Sequence, residues 1–541
     1  MNFNNYILKS KLWMVLVLVI GFSSCTDDLV KTPTNDLTAD MQYKAIGGYK
    51  QSLASIYSNM IYSNFLRNFW GMQEYTTDEA VSTWNDDGGN AVYHQLAWSA
   101  DAATITNVYS SALLTITYCN SFINESTDAK IATRGFSTTE TTQIKQYTAE
   151  VRYLRAYCFW VLMDLYGNPP FPTPDDLGFS SPKQIKRTDL FKFIETELKD
   201  IEPLLTEPRT NESGRPDKAA AWALLSRMYL NGKVYTGTDY NTEAITYCKK
   251  IIAANYSLES NYRWLMLGDN NLNTNEFIFT FNYNNTNQTW NGTNYLALGA
   301  ANVPAKVNGL SGSWNNFRMT EQLPALFPTA DTTVDKRAQF YTTGQNLTVG
   351  NISTITDGYS SYKYRNLSRK GDINVQNYIL QHPFDIKVDS LVNVDSIKQN
   401  NAFNNLSDID FPVFRLAEIY LTYAEAVLRG GTGGDITTAL GYINKLRGRA
   451  YANNPASTLG NITASELTLN FILDEKAREM YWEAQRRTDL VRFNKLTTAD
   501  YLWAWKGNAL AGKAVDAKYN LFPIPTSDLL ANPNLKQNAN F

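Results

Sequence analysis

PDKAAAWALLSRMYLNGKVYTGTDYNTEAITYCKKIIAAN, residues 216–255, decides the fold. Pro216 opens a helical pattern that Gly232 ends, and Asn241 or Thr242 can cap a second helix, TEAITYCKKIIAAN. The two helices form a helix–turn–helix, with Ala220, Ala221 and Ala244 where the backbones would approach closely. The same layout recurs in FRLAEIYLTYAEAVLRGG (414–431) followed by DITTALGYINKLRGRA (435–450), with small residues Ala424, Ala426 and Ala439.

Paired helices with small contact residues resemble tetratricopeptide repeats. Such pairs bury their apolar faces only against neighbours, so a superhelical scaffold follows. Working outward, the pattern is mainly helical from about 39 to 256 and again from about 412 to 496. Ser137 and Glu140 have capping-box spacing, and Val151, Leu154, Cys158, Val161, Leu162 and Leu165 then form an apolar stripe stopped by Gly167 and Pro169–Pro170. Thr188 opens a further helix, which Pro203 breaks near its end. Thr463 and Glu466 form a second capping-box pair, opening SELTLNFILDEKAREMYWEAQ. Between these regions, residues 257–411 are rich in Asn, Thr, Gly and Tyr. NEFIFTFNYNN reads there as a short strand and the remainder as loops with short strands. A Pro- and Asn-rich tail covers about 518–541. The expected class is mainly α: a tetratricopeptide-like helical-repeat scaffold with a large loop-rich segment carrying short strands.

The chain has 541 residues and a formal net charge of −3, a balance that points away from nucleic acid and from an electrostatic membrane patch. Residues 1–24 read as an export signal: Lys9 and Lys11, an apolar run from Leu12 to Phe22, then Ser23 and Ser24. That run is shorter than the roughly 20 residues a bilayer span needs. Cys25 at the cleavage point reads as the lipid-modified first residue of a bacterial lipoprotein, although Phe22 stands where the usual lipobox has an aliphatic residue. Residues 25–38, with Asp27 and Asp28, read as a lipidated flexible leader. Cys119, Cys158 and Cys248 lie in helical patterns without CxxC spacing and read as buried core residues, with one disulfide left open. With His94 and His382 the only histidines, a histidine-based zinc site or histidine-rich catalytic constellation is nearly excluded.

The blocks AEVRYLRAYCFWVLMDLYGNPPF, RPDKAAAWALLSRMYL, FRLAEIYLTYAEA, LDEKAREMYWEAQRRTDLVRF and FPIPTSDLLANPNLKQN occur in order. With the lipoprotein start they resemble the SusD/RagB family of Bacteroidetes outer-membrane lipoproteins. The match spans nearly the whole mature chain. GRPDKAAAWALLSRMYLNGKVYTGTDY and TTADYLWAWKGNALAG are most similar to the starch-binding member. The resemblance implies a glycan-binding domain over 39–541, lipid-anchored on the outer face of the outer membrane. That domain would sit as a lid on a SusC-type TonB-dependent transporter, without catalytic activity or a required cofactor. It implies an arc of three aromatics, Trp84, Tyr295 and Trp314, each in Gly/Asn/Asp/Ser-rich sequence that reads as loop. Aromatic faces suit the apolar C–H faces of pyranose rings. Asp87 falls where the starch-binding member has a sugar-contacting amide. A carboxylate cannot donate at neutral pH, and Asn85 or Asp86 stand ready instead. A curved arc suits an α-glucan, the first choice of ligand. The competing readings are another polysaccharide, a surface glycoside hydrolase and a peptide-binding scaffold.

Asp269, Asn271, Asn273 and Glu276 alternate oxygen donors in the manner of a structural calcium loop. Thr274 at the sixth position and an early terminal Glu favour a plain polar turn. Arg486, Arg487, Asp489 and Arg492 read as helix-surface pairs with contacts to the tail. Glu475, Glu479 and Glu483 read as a row along one exposed helix. Such a row lacks the cleft that two glycosidase carboxylates need.

Overall fold

In a computed structural model the described residues are 38–62, 65–84, 91–176, 181–283, 292–310, 312–370 and 407–541. The signal segment, Cys25, most of the leader, Asn85, Asp86 and Asp87 lie outside them. The chain divides into two units, 1–48 and 49–541. The first carries the short helix Ala39–Gln42, whose start is capped by the Thr38 hydroxyl accepting from Met41 N at 3.3 Å.

The second unit is built on helices α1 (Phe65–Glu74), α2 (Ala103–Glu125), α3 (Thr138–Tyr166), α4 (Arg187–Ile201), α5 (Lys218–Leu230), α6 (Asn241–Ala253), α7 (Thr293–Gly299), α8 (Leu416–Leu428), α9 (Ile436–Ala452), α10 (Leu469–Met480) and α11 (Arg486–Arg492). Its strands are short: β1 (Val81–Ser82), β2 (Phe277–Phe281), β3 (Phe317–Arg318), β4 (Phe340–Tyr341), β5 (Ser360–Ser361) and β6 (Phe411–Arg415). They pair antiparallel as β1–β3, β2–β6 and β4–β5.

Helix α3 starts with the expected capping box: Glu140 N donates to Ser137 Oγ at 3.3 Å and Ser137 N to Glu140 Oε2 at 3.0 Å. The expected stripe widens in the structure to the whole circumference. From Ala149 to Tyr166 every side chain except Arg152 is buried. A helix enclosed on all sides needs partners for its charges. Glu150 pairs with Arg215 at 2.6 Å and Arg155 with Glu197 at 2.7 Å.

The two helix pairs stack on each other through α6 and α8. Ala220, Ala221, Ala244, Ala424, Ala426 and Ala439 are fully buried, as close approach requires. Gly431, after α8, sits so near the start of α6 that a Cβ there would lie 2.8 Å from the Asn241 backbone. Helix α5 begins at Lys218, two residues later than Pro216 suggests, because Asp217 caps it, its carboxylate accepting from Ala220 N at 3.1 Å. It ends at Leu230, before Gly232, which opens a separate short helix, Gly232–Thr236.

Two expectations change at α10. Thr463 N does donate to Glu466 Oε2 at 2.8 Å, but that box closes a turn. Leu467 is buried, and the helix starts at Leu469 under the Thr468 cap. It ends at Met480, because Trp482 and Ala484 adopt left-handed backbone angles, φ 62° and 60°. Glu483 is therefore past the helix. Glu475, Glu479 and Glu483 are not an exposed row; all three are fully buried. The loop-rich segment and its borders cover them and supply cations. Arg415 reaches Glu276 at 3.0 Å, Glu479 at 2.6 Å and Glu483 at 2.7 Å. Arg449 joins Glu276 at 2.8 Å, Arg337 joins Asp335 and Glu475 at 2.7 and 2.8 Å, and Lys363 joins Glu483 at 2.7 Å.

The Arg486–Arg492 cluster is likewise interior rather than on a helix surface. Arg486 pairs with Asp78 at 3.0 Å, Arg492 with Glu425 at 2.7 Å and Asp489 with Lys476 at 2.8 Å. Its expected link to the tail is present: Arg487 donates to Tyr519 O at 2.9 Å. The tail also closes α3, with Asn538 Nδ2 donating to Tyr166 O at 2.8 Å. Cys119, Cys158 and Cys248 are buried free thiols, and burial pushes the Cys119 thiol up to about 12.

Removing one partner of a buried ion pair strands the others. Arg415→Leu is expected to lower stability by about 3–5 kcal/mol in urea unfolding, whereas Lys233→Ala on the surface costs less than about 0.5 kcal/mol. Burial raises the Glu475 carboxyl, but Arg337, Arg478 and Arg447 outweigh it and hold it well below the usual range. Its contribution is therefore full above the unfolded value of about 4.3 and is lost as pH falls below that. Acid titration followed by circular dichroism is expected to show cooperative unfolding well below pH 4.3, and Glu475→Gln to move that transition upward.

Candidate functional site

The β1–β3 pair brings two distant loops together. Ser82 faces Phe317 in register, Thr83 N donates to Asn316 O at 2.8 Å, and Thr83 Oγ1 to Asn315 O at 3.1 Å. Trp84 and Trp314 extend from this edge. Their ring centroids are 6.4 Å apart and their planes incline at 30°. Both are half-buried. The Trp84 backbone is set by its N–H donating to Ser82 Oγ at 3.1 Å.

Tyr295 joins them, but not from a loop. It lies on α7, whose residues are all buried, and is itself 1% exposed. Its ring stands edge-on to Trp84 at 6.5 Å and 72°, and packs on Trp70 and Phe317 at 6.0 and 5.6 Å. The Arg67 guanidinium lies over its face at 4.4 Å. Its hydroxyl bonds Tyr75 OH and accepts from Asn316 Nδ2 at 2.7 Å. Helix α7 can approach this closely because Gly299 has no side chain: a Cβ there would lie 2.2 Å from the Phe317 ring. Tyr295 thus forms the floor on which Trp84 stands, and Trp84 in turn packs against Trp314.

Asn316 is the hub. It bonds Tyr295 through Nδ2 and Ser82 Oγ through Oδ1, and its N–H donates to Gly299 O at 2.9 Å. Asn316 and Arg67 are the site residues that sequence reasoning missed. Asn316 follows Trp314 in an Asn-Asn pair, a detectable amide signal. Arg67 sits inside the buried helix α1, where nothing in FLRNFWGMQE distinguishes it. Beneath the floor, Trp70 Nε1 donates to Trp482 O at 3.0 Å and Trp482 Nε1 to Glu79 O at 2.7 Å.

The four residues of the calcium-like loop are divided between partners. Glu276 is taken by Arg415 and Arg449. Asp269 Oδ2 accepts from Arg369 N at 2.8 Å and Asn273 Oδ1 from Arg369 Nη2 at 2.6 Å. Asn271 lines a cavity of about 400 Å³ with Tyr256 and Asp410. Asp269 Oδ1 is buried without a hydrogen-bond partner. Among the described residues no group of three or more acidic, His or Cys side chains is placed to hold a metal. No described helix is long and apolar enough to cross a membrane.

A repeat-built helical scaffold presenting an aromatic pair on a strand edge defines a binding protein. Comparison with known proteins narrows that class. Residues 275–541 match the SusD family, and residues 30–230 match a family described as starch-binding and associating with the outer membrane. The chain is 31% identical to the starch-binding protein SusD of Bacteroides thetaiotaomicron over 98% of each chain. It is 26% identical to SusD-like protein P25 of Formosa agariphila over 72% of this chain and 71% of that one. In structure it resembles a SusD superfamily protein from Parabacteroides distasonis, with a TM-score of 0.68, 20% identity, and coverage of 94% of this chain and 100% of that one. It also resembles surface glycan-binding protein A of Bacteroides thetaiotaomicron in complex with laminarihexaose, with a TM-score of 0.67, 18% identity, and coverage of 91% and 99%. The chain belongs to the SusD family, whose members are non-catalytic glycan-binding proteins associated with the outer membrane.

Asn316→Ala would leave the Tyr295 hydroxyl and Ser82 short of partners. It is expected to cost about 1–3 kcal/mol in urea unfolding and to red-shift tryptophan fluorescence as Trp84 and Trp314 loosen.

Proposed function

We propose that this chain is a lipid-anchored, cell-surface lipoprotein that captures oligo- or polysaccharide, with starch-type α-glucan first, and delivers it to a SusC-type TonB-dependent outer-membrane transporter. The observation that carries the reading is the Trp84–Trp314 pair: two half-buried rings 6.4 Å apart and inclined at 30° on a rigid strand edge. Inclined platforms follow a chain whose rings turn, as in an α-glucan. Coplanar platforms would favour a flat one. Each ring offers a π face to pyranose C–H groups, and the exposed Asn315 follows Trp314 directly in sequence. Asn85, Asp86 and Asp87 follow Trp84 directly in sequence and are assigned to the polar rim. Tyr295 braces Trp84 from below. Stacking and hydrogen bonding suffice for capture, so no cofactor is invoked. The name of the Bacteroides thetaiotaomicron relative supports starch. The laminarihexaose complex of surface glycan-binding protein A favours keeping a β-glucan as the second reading.

Residues 1–24 are assigned as the lipoprotein signal, Cys25 as the lipid attachment, 25–38 as the leader and 39–541 as the binding domain. A single acyl chain holds a membrane only marginally, so the multiply acylated cysteine of a bacterial lipoprotein suits a lasting tether.

Native gels containing amylopectin, laminarin or no polysaccharide test the reading. The wild type is expected to be retarded by amylopectin. Trp84→Ala and Trp314→Ala each weaken retardation about tenfold, equivalent to about 1.4 kcal/mol, and the double variant abolishes it with its circular dichroism spectrum intact. Unretarded wild type in amylopectin sinks the α-glucan choice, and retardation in laminarin alone selects the second reading. Cys25→Ser is expected to release the protein from membranes and leave amylopectin retardation of the purified domain unchanged.

A further inference from the structure

Glu74, Asp78 and Glu79 are all buried, at 0%, 0% and 1% exposure, in the short stretch from the last residue of α1 to β1. Among the described residues one cation, Arg486, makes direct ion pairs with this group. It spends its close contacts on Asp78, at 3.0 and 3.3 Å, which also accepts from Tyr501 OH at 2.7 Å. Glu79 is left with a longer approach to Arg486, at 3.6 Å. Lys363, the next cation, is committed to Glu483 at 2.7 Å. Tyr364, also facing this group, donates its hydroxyl to Trp482 O at 2.9 Å. Three carboxyl groups therefore share little more than one positive charge.

The geometry shows how the surplus is settled. Glu74 Oε1 accepts from Ala484 N at 2.6 Å and Glu79 Oε2 from Trp482 N at 3.1 Å. Glu74 Oε2 is buried and finds no N–H or O–H donor, and the two carboxyl groups are held by backbone N–H groups two residues apart in the same turn. Two carboxylates there would leave a buried charge unpaired; a carboxylic acid beside a carboxylate does not.

We propose that Glu74 and Glu79 share one proton and act as a positioning pair for the glycan platform, clamping the left-handed Trp482–Ala484 turn against its underside. The turn needs a clamp, because positive φ at Trp482 and Ala484 is strained for residues with a Cβ. The clamped turn carries the Trp482 ring, which packs edge-on against Trp70 and Phe317 at 6.1 and 5.0 Å. Those two rings support Tyr295, and Tyr295 supports Trp84. The platform role rests on the glycan reading above; the shared proton does not.

Burial raises both carboxyls, Glu79 to about 7 against the opposing pull of Arg486, and Glu74 well above the usual range. A carboxyl raised in the fold contributes fully below the unfolded value of about 4.3, and that contribution is lost as pH rises through the folded value. The clamp therefore weakens from mildly acid pH through neutrality and beyond.

The test compares wild type with Glu74→Gln, whose amide keeps a donor toward Glu79 without a titrating proton, and with Glu79→Gln in case the first variant folds poorly. Melting temperature and amylopectin retardation are read from pH 5 to 9, with infrared spectra of the folded wild type. The wild type is expected to show a buried carboxylic-acid C=O band at pH 7 that Glu74→Gln lacks. It is also expected to lose about fivefold in amylopectin retardation between pH 6 and 9, against less than about twofold for Glu74→Gln. Parallel pH profiles in wild type and both variants, or no band assignable to the pair, overturn the proposal. Wild type that binds no polysaccharide at any pH removes the platform role together with the glycan reading, while the band and the melting profiles still decide the shared proton.

Discussion

The guanidinium of Arg415 is the interaction on which the rest of the structure depends. It sits at the end of β6, fully buried, and its donors reach Glu276 before β2, Glu479 at the end of α10 and Glu483 in the turn beyond. One side chain thus joins the return of the loop-rich segment, the strand that leaves the helical scaffold and the helix that closes it. Burying such a charge is costly unless every donor finds an acceptor. Here the neighbours Arg449, Arg337 and Lys363 complete a lattice with five carboxylates, Glu276, Asp335, Glu475, Glu479 and Glu483. A lattice of this kind accepts one arrangement, because any slip strands a charge.

The same economy of charge recurs beneath the Trp84–Trp314 pair. Beneath Trp84 and Trp314 the structure is aromatic, with Tyr295, Phe317, Trp70 and Trp482 packed mostly edge to face. Aromatic rings are rigid and lose little conformational freedom on packing, so they transmit position well. Polar groups enter this stack at few points, Asn316 from the side and the Glu74–Glu79 pair from below. Each bonds backbone or hydroxyl groups that packing alone would leave unsatisfied.

The helical pairs, their small contact residues, the strand at Phe277–Phe281 and the capping box of α3 were legible in the sequence, because each depends on local periodicity or spacing. So was the proximity of Trp84, Tyr295 and Trp314, through family resemblance. Burial of charge was not legible. Glu475, Glu479 and Glu483 have the spacing of a solvated helix face, and it is cations brought from elsewhere in the chain, Arg337, Lys363, Arg415 and Arg449, that reverse that reading. Tyr295 was misread for a related reason. GTNYLALG has loop composition, yet Gly299 and Phe317 draw it into a buried helix. Long-range contacts decided these cases, and no local pattern encodes them.

Helices α6 and α8 touch, although residues 254–415 lie between them in sequence. Antiparallel pairing of β2 with β6 keeps the two ends of most of that stretch together. The loop-rich segment is thus an insertion whose ends meet at a fixed gate in the scaffold. Closing a longer loop between fixed ends costs only about 0.6 kcal/mol per doubling of its length. The scaffold can therefore carry inserts of different length and sequence at nearly constant stability, provided Glu276 and Arg415 remain at the gate. Change in the loop-rich segment and constancy of the frame are separable properties of this architecture, and two charged residues mark the seam.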